Sequence, residues 1–291
     1  MKVFVTGATG FIGAAVVKEL INAGHQVIGL ARSEASAKAA SASGAEVLMG
    51  SLEDLEILKQ GALQADGVIH TAFIHDFTQY AKANETDKSA IQAIGEALKG
   101  TDKPFVVTAG ILGLPKTDGF ITEVNLNQHG PRSSEATALS LAAGGVYASV
   151  LRLPPSVHDK GDKGFVPFMI AQAIKNGVSA YPNEGNNHWP AVHRLDVAKL
   201  FRLAVEKPRK GALYNAIGET GIPLKNIAAL IAEKLNLPLV SLNDENIAQH
   251  FEWMSAFINF DSPATSLQTQ QELEWQPKEI NLLHDMEEHY F

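Results

Sequence analysis

A short apolar run, Val3–Thr6, leads directly into Gly7-Ala8-Thr9-Gly10-Phe11-Ile12-Gly13, and a segment of helical period follows. A strand that turns tightly into a helix needs three things: a residue tolerant of positive φ at the turn, bare backbone where an anion meets the helix N-terminus, and bare backbone where helix and strand touch. Glycines at positions 7, 10 and 13 meet these needs in order. The pattern is that of a dinucleotide-binding turn, with the pyrophosphate on the first helical amides and Thr9, Phe11 and Ile12 beside it.

The rest of the first half repeats the same unit. Strand-like runs at Val3–Thr6, Gln26–Leu30, Ala45–Met49, Gly67–Thr71, Phe105–Thr108 and Tyr147–Leu153 alternate with helical segments at Gly13–Ala23, Ala35–Ser43, Leu52–Gln60, Tyr80–Lys99 and Arg132–Ala143. Parallel strands with right-handed crossovers need helices on both faces, so the expected fold is α/β: a doubly wound parallel Rossmann sheet. The expected boundaries are a dinucleotide-binding domain over 1–155 and a small, mostly helical substrate lobe over 156–291. Within that lobe, strands and a helix at about 191–216 are expected to return to the first domain.

Composition narrows the function. Hydrophobic residues at 45% and charged residues at 19% are ordinary for a globular chain, and 24 basic against 32 acidic residues give a net charge of −8. No basic run could follow a phosphate backbone, which argues against nucleic acid as a partner. The absence of cysteine excludes disulfides, thiolate nucleophiles and Cys-ligated metal. The ten histidines lack metal-binding spacing, so no metal is expected. MKVFVTGATG meets glycine too early for a signal-peptide apolar region, and no window has membrane-span length, so a soluble cytoplasmic protein is expected.

At the end of the second strand stand Arg32 and Ser33, where an acidic residue would accept bonds from an NAD ribose. A guanidinium and a hydroxyl suit a 2′-phosphate instead, so NADP is the expected cofactor and NAD the second choice. Further cofactor contacts are expected from Ser51 and Leu52 after the third strand, from Thr71, Ala72 and Phe73 after the fourth, and from Thr108, Pro154 and Val157 after the fifth and sixth.

These residues support a family resemblance. TGATGFIG, His70-Thr71-Ala72, Val150-Leu151-Arg152-Leu153-Pro154 and the segment Ala191–Ala198 resemble the extended short-chain dehydrogenase/reductase superfamily, in particular its NAD-dependent epimerase/dehydratase branch. The resemblance covers most of the chain. It implies a nicotinamide cofactor across the carboxyl ends of the strands, a cleft roofed by the C-terminal lobe, and, by analogy, a homodimer through two helices.

The sequence departs from that family where its chemistry resides. Family enzymes use a Tyr-x-x-x-Lys pair, whose lysine lowers the phenol pKa towards neutrality. Here Asn84, Leu151, Gly185 and Gly218 lie four residues after Tyr80, Tyr147, Tyr181 and Tyr214, and Tyr290 is next to last. If Glu135 matches a helix glutamate four residues past the lysine, Asn127 and Pro131 hold the pair's positions. The family's serine position offers only Thr108, a candidate to polarise a carbonyl or simply a strand-end hydroxyl. Replacement acids or bases are sought among histidines just after strands: His75, beside Asp76, His158 and His193. Of these, His75 and His158 join Thr108 as catalytic candidates. His75, Ile111, Phe165, Trp189 and His193 are the candidate substrate contacts, with Phe73 and Phe77 as further apolar walls. Asp196 reads as a helix cap or anchor.

Three functions remain open. The first is an NADP(H)-dependent oxidoreductase acting on a small carbonyl or conjugated substrate. The second is an NADP(H)-binding regulatory protein without turnover, and the third is an epimerase or dehydratase that retains its cofactor on a nucleotide sugar.

Overall fold

The computed structural model describes residues 1–75, 79–126 and 132–291, so Asp76, Phe77, Asn127 and Pro131 lie outside the described residues. The alternation continues along the described chain. It runs β1 (Lys2–Thr6), α1 (Phe11–Asn22), β2 (Gln26–Ala31), α2 (Glu34–Ala42), β3 (Glu46–Met49), α3 (Leu55–Gln64), β4 (Gly67–His70), α4 (Tyr80–Ala97), β5 (Phe105–Gly110), α5 (Ser134–Ala143) and β6 (Ala148–Leu153). Then follow β7 (Ser156–His158), α6 (Phe165–Asn176), β8 (Ser179–Pro182), β9 (His188–His193), α7 (Arg194–Glu206), β10 (Leu213–Asn215), β11 (Glu219–Pro223), α8 (Leu224–Leu235) and β12 (Leu239–Leu242). The chain closes with α9 (Asp244–Phe251), α10 (Ser255–Ile258), α11 (Leu267–Leu273) and α12 (Leu282–His289).

Seven strands form one parallel sheet in the order β10-β6-β5-β4-β1-β2-β3. Strands buried on both faces read as near-continuous apolar runs, and Val3, Phe4 and Val5 are fully buried for that reason. On one face, α1 and α7 pack together over Val3, Val5, Ile69 and Val106; on the other, α3, α4 and α5 cover Phe4, Val68, Phe105 and Val107. The order reverses between β1 and β4, which opens the ligand crevice at the carboxyl ends of those strands.

The second lobe is less helical than its sequence suggests. Strands β7, β9 and β11 form a small mixed sheet and β8 pairs with β12 in parallel, while α6, α8, α9 and α12 pack around them. Expected as the start of a helix, Leu52 lies in a turn before α3. No helix among the described residues is long and apolar enough to cross a membrane.

Candidate cofactor and hydride-transfer site

The glycine turn is built by close approach. Gly7 has φ +70°, and a Cβ there would stand 2.8 Å from Ala72 N and 2.9 Å from Thr71 Oγ1. A Cβ on Gly13 would stand 2.0 Å from the Gly7 carbonyl oxygen, inside any tolerable contact. The Gly10 N–H donates to the Gly7 carbonyl at 2.8 Å, and Gly10 caps α1 without a side chain. Thr9 and Gly10 are exposed and Phe11 and Ile12 half-buried, so the first amides of α1 open onto the crevice. The loop is anchored below by Thr71 Oγ1, which donates to the Thr6 carbonyl at 2.7 Å.

Arg32 is exposed just past β2. Ser33 caps α2: its Oγ accepts the Ser36 N–H at 3.2 Å, and its own N–H donates to Ser36 Oγ at 3.0 Å. Ser51 donates through N–H and Oγ to Asp54 Oδ2, at 2.7 and 2.8 Å. These contacts hold the Asp54 carboxyl below the usual range, the backbone bond contributing most. Leu52 is half-buried, and Pro154 and Val157 are buried beyond β6.

Between the ends of β4 and β5 runs a polar chain assembled from distant segments. Thr6 Oγ1 bonds His70 Nδ1 at 2.8 Å, and His70 Nε2 bonds Asp87 Oδ1 at 3.0 Å. Ser134 Oγ donates to Asp87 Oδ2 at 2.5 Å and accepts from Arg132 Nε at 2.7 Å. Burial disfavours the Asp87 carboxylate, but the His70 hydrogen bond and charge, Arg132 and Ser134 outweigh it and hold its pKa below the usual range. Arg132 also donates from NH2 to the Thr108 carbonyl at 3.2 Å, and its guanidinium lies 4.2 Å over the Phe73 ring. His75 packs edge-on against Phe73, with ring centroids 5.4 Å apart; desolvation first and the Arg132 charge second push its pKa below the ordinary histidine value.

The Thr108 hydroxyl is 5% exposed and donates to the His70 carbonyl at 2.7 Å. Of the two roles read for it, this contact fits the strand-end hydroxyl.

The comparisons with known proteins bear on this arrangement. Residues 7–146 match the family of NAD(P)H-binding domains. The chain is 46% identical to the uncharacterized protein C2A9.02 of Schizosaccharomyces pombe over 289 residues, covering 98% of each chain. It belongs to one family with that yeast protein. A 4-hydroxy-2-methyl-3-oxo-4-farnesyl-3,4-dihydroquinoline-1-oxide ketoreductase of Stigmatella aurantiaca is 25% identical over 248 residues, covering 80% of this chain and 73% of its own. In fold, the UDP-glucose 4-epimerase of Thermotoga maritima superposes with a TM-score of 0.78 at 20% identity, covering 100% of this chain and 98% of its own.

Glu135, read from the sequence as a match to the family's helix glutamate, lies in the first turn of α5. It is buried and takes two hydrogen bonds from Arg152, at 2.7 Å from both Nε and NH2. The positions of the tyrosine and lysine are then Asn127 and Pro131, outside the described residues. Arg132, next in the chain, is the cation that reaches the ends of β4 and β5. The sequence offered one signal for it, a basic residue two positions before an α5 whose only acidic first-turn residue is Glu135.

Other candidates stand deeper than expected. His158, at the end of β7, is 1% exposed; its Nδ1 bonds Asp285 Oδ2 at 2.8 Å, and Nε2 has no hydrogen-bond partner. Burial lowers its pKa despite Asp285. His193 is 7% exposed, accepts the Leu195 N–H through Nδ1 at 3.2 Å and so caps α7. Ile111 lies fully buried with Leu114, Ile121, Ile217 and Ala264. Trp189 is fully buried in the second lobe, and its Nε1 donates to the Phe260 carbonyl at 3.2 Å. Both are core residues rather than cleft walls. Phe165 is half-buried among Trp189, Trp253 and Phe257.

His158, His193 and Asp285 offer ligand atoms within 4.8 Å of one another, the grouping among the described residues that could hold a metal ion. Local spacing could not reveal it, because the three come from β7, β9 and α12. The Leu195 N–H takes up His193 Nδ1, and Nε2 faces Asp159 Oδ1 at 3.7 Å.

Proposed function

We propose that the protein is an NADP(H)-dependent oxidoreductase of the atypical extended short-chain type, acting on a small carbonyl or conjugated substrate. The observation that carries the cofactor choice is the exposed Arg32 beside the Ser33 cap, at the strand end that faces the adenosine ribose in this superfamily. Close backbone approach at Gly7 and Gly13, with bare backbone at the exposed Gly10 at the start of α1, is the fit expected of a pyrophosphate cradle. A ketoreductase among the relatives supports the reaction class.

When bound, the cofactor supplies the hydride. The chain's own residues do the rest: α1 amides hold the phosphates, Arg32 and Ser33 meet the 2′-phosphate, and Thr71, Ala72 and Phe73 wall the nicotinamide end. His75, with its lowered pKa, is neutral at pH 7 and can hydrogen-bond a substrate but carries little acid form to donate.

The test is a titration with NADPH and NADH, followed by nicotinamide fluorescence, in wild type and Arg32→Ala. A charge-assisted phosphate contact contributes about 1.5–3 kcal/mol, so NADPH should weaken roughly 10- to 100-fold while NADH changes little. Equal affinity for both nucleotides, indifferent to Arg32, refutes the NADP reading. A second reading, a cofactor-binding regulator without turnover, draws support from the committed Thr108 hydroxyl and the missing Tyr-x-x-x-Lys pair. It requires NADP⁺ and NADPH to shift a binding or assembly equilibrium differently. Identical elution of the two complexes in size-exclusion chromatography, together with turnover, would exclude it.

A further inference from the structure

Reducing a carbonyl without a phenol leaves one chemical need unmet: something must hold the negative charge that appears on oxygen. A group that meets it has to be a donor, fixed before the reaction, at the carboxyl ends of the strands where hydride arrives. Arg132 has these properties. It is 20% exposed at its side chain, and its contacts bridge the two strand ends, the Thr108 carbonyl after β5 and the Phe73 ring after β4. Two hydrogen bonds, from Nε to Ser134 Oγ and from NH2 to Thr108, fix the plane of the guanidinium. Behind it, Ser134 is held by Asp87, and Asp87 by His70. All three are fully buried.

We propose that Arg132 is the catalytic electrophile of this protein, taking over the charge-stabilising part of the missing tyrosine–lysine pair, with Asp87 and Ser134 as its positioning residues. The inference rests on the oxidoreductase reading. Hydride, with its electron pair, passes from the dihydronicotinamide to the carbonyl carbon of a ketone or aldehyde, or to the β-carbon of an enone. The C=O electron pair, or in the enone the conjugated pair, moves onto oxygen, and the guanidinium donates hydrogen bonds to that oxygen. The proton that completes the alcohol or enol comes from water. Arg132 keeps its own, because a guanidinium does not deprotonate at working pH. This separates Arg132 from the superfamily's phenol, which stabilises the oxygen and protonates it with one group. The substrate class follows: a neutral carbonyl compound whose oxygen becomes anionic only during reaction, with Phe73 beside the approach.

The test has two arms, run on the full chain. In the first, single-turnover oxidation of NADPH is followed with a panel of aldehydes, ketones and enones. Removing a fixed oxyanion donor costs about 100- to 1000-fold in rate. Arg132→Ala should slow the step to that extent without changing the dissociation constant for NADPH, Arg132→Lys should recover part of the rate, and millimolar guanidinium chloride should partly rescue Arg132→Ala. Asp87→Asn should lower the rate less and leave it unresponsive to guanidinium. In the second arm, benzoate, whose carboxylate imitates a held oxyanion, is titrated by calorimetry into wild type and Arg132→Ala, with and without NADP⁺. Binding at least about tenfold weaker in the variant is expected.

Unchanged turnover in Arg132→Ala overturns the proposal and leaves the oxidoreductase reading standing. Absence of turnover with every acceptor in wild type removes that reading, and the benzoate arm then judges Arg132 alone, with equal binding by both proteins overturning it. A weakened variant that guanidinium does not rescue and that also loses NADPH affinity marks a structural role and overturns the catalytic one.

Discussion

Arg152 sets the sharpest stability test in the molecule. Its side chain is fully buried, and it donates to both oxygens of Glu135 at 2.7 Å, to the Asn125 carbonyl at 2.5 Å and to the Thr122 carbonyl at 3.3 Å. One guanidinium thus ties β6 to α5 and to the segment before the undescribed residues. Arg152→Met takes from the buried Glu135 carboxylate the guanidinium bonded to both its oxygens, which costs about 3–5 kcal/mol. Two carbonyls also lose a charged donor, and since these losses share one side chain they do not add; a total of about 4–6 kcal/mol is expected. At roughly 2 °C per kcal/mol for a chain of this size, the melting temperature should fall by about 10 °C. Combining it with Glu135→Leu removes the buried carboxylate that lost its guanidinium, so the double variant should be more stable than Arg152→Met by about 2 kcal/mol, although the two carbonyls still lack their charged donor. Urea unfolding at pH 7, followed by far-ultraviolet circular dichroism, measures all four corners of the cycle. If Arg152→Met unfolds within about 1 kcal/mol of wild type, or if the two single losses simply add, the pair does not carry the energy assigned to it.

Two further substitutions probe the cradle and the second lobe. Gly13→Ala must push its Cβ away from the Gly7 carbonyl oxygen 2.0 Å distant, so it should abolish nucleotide binding and cost about 2–3 kcal/mol, whereas Gly110→Ala, with open space around its Cβ, should leave stability unchanged in the same melts. Asp162 accepts from Tyr290 Oη at 2.9 Å, and burial, only partly offset by hydrogen bonds from Gly164, Tyr290 and Lys163, raises its pKa to about 6. A folded-state pKa above the unfolded value means stability that is complete below pH 4 and declines as pH rises through 6, by up to ~3 kcal/mol. Asp162→Asn should therefore match wild type near pH 4 and exceed its urea midpoint at pH 8; a constant difference across that range contradicts the raised pKa.

What was legible in the sequence depended on whether a signal was local. The glycine turn, the strands and the run of crossover helices each depend on neighbours within a few residues, and the sheet follows once right-handed crossovers are imposed. Depth was not legible in the same way. His158 stands near a strand end and Trp189 offers a stacking ring, but neither signal sets the distance below the surface, and both lie buried. The pairing of β7 with β9 takes His158 inward to Asp285, a residue 127 positions away. Asp196 shows the same limit from the other side. Of its two readings, helix cap or anchor, the structure gives it the second: it accepts the N–H groups of Lys278 and Glu279 and ties the C-terminal segment to α7, while His193 supplies the cap.

Arg132 was missed for a related reason. A phenol and its histidine substitutes stand out as groups that titrate near neutrality, and an arginine does not titrate in that range. Its value lies in the contacts that hold it, with Thr108 lying 24 residues away and Asp87 reached through Ser134. Charge stabilisation and proton delivery are separate requirements of carbonyl reduction, and a tyrosine–lysine pair meets both at once. A chain that has lost the pair can keep the first with a fixed guanidinium and leave the second to water. The consequence is a rate of NADPH oxidation free of any phenolic ionisation between pH 6 and 9, so a bell-shaped profile with an upper pKa near 8 would show that some other acid has taken the tyrosine's place.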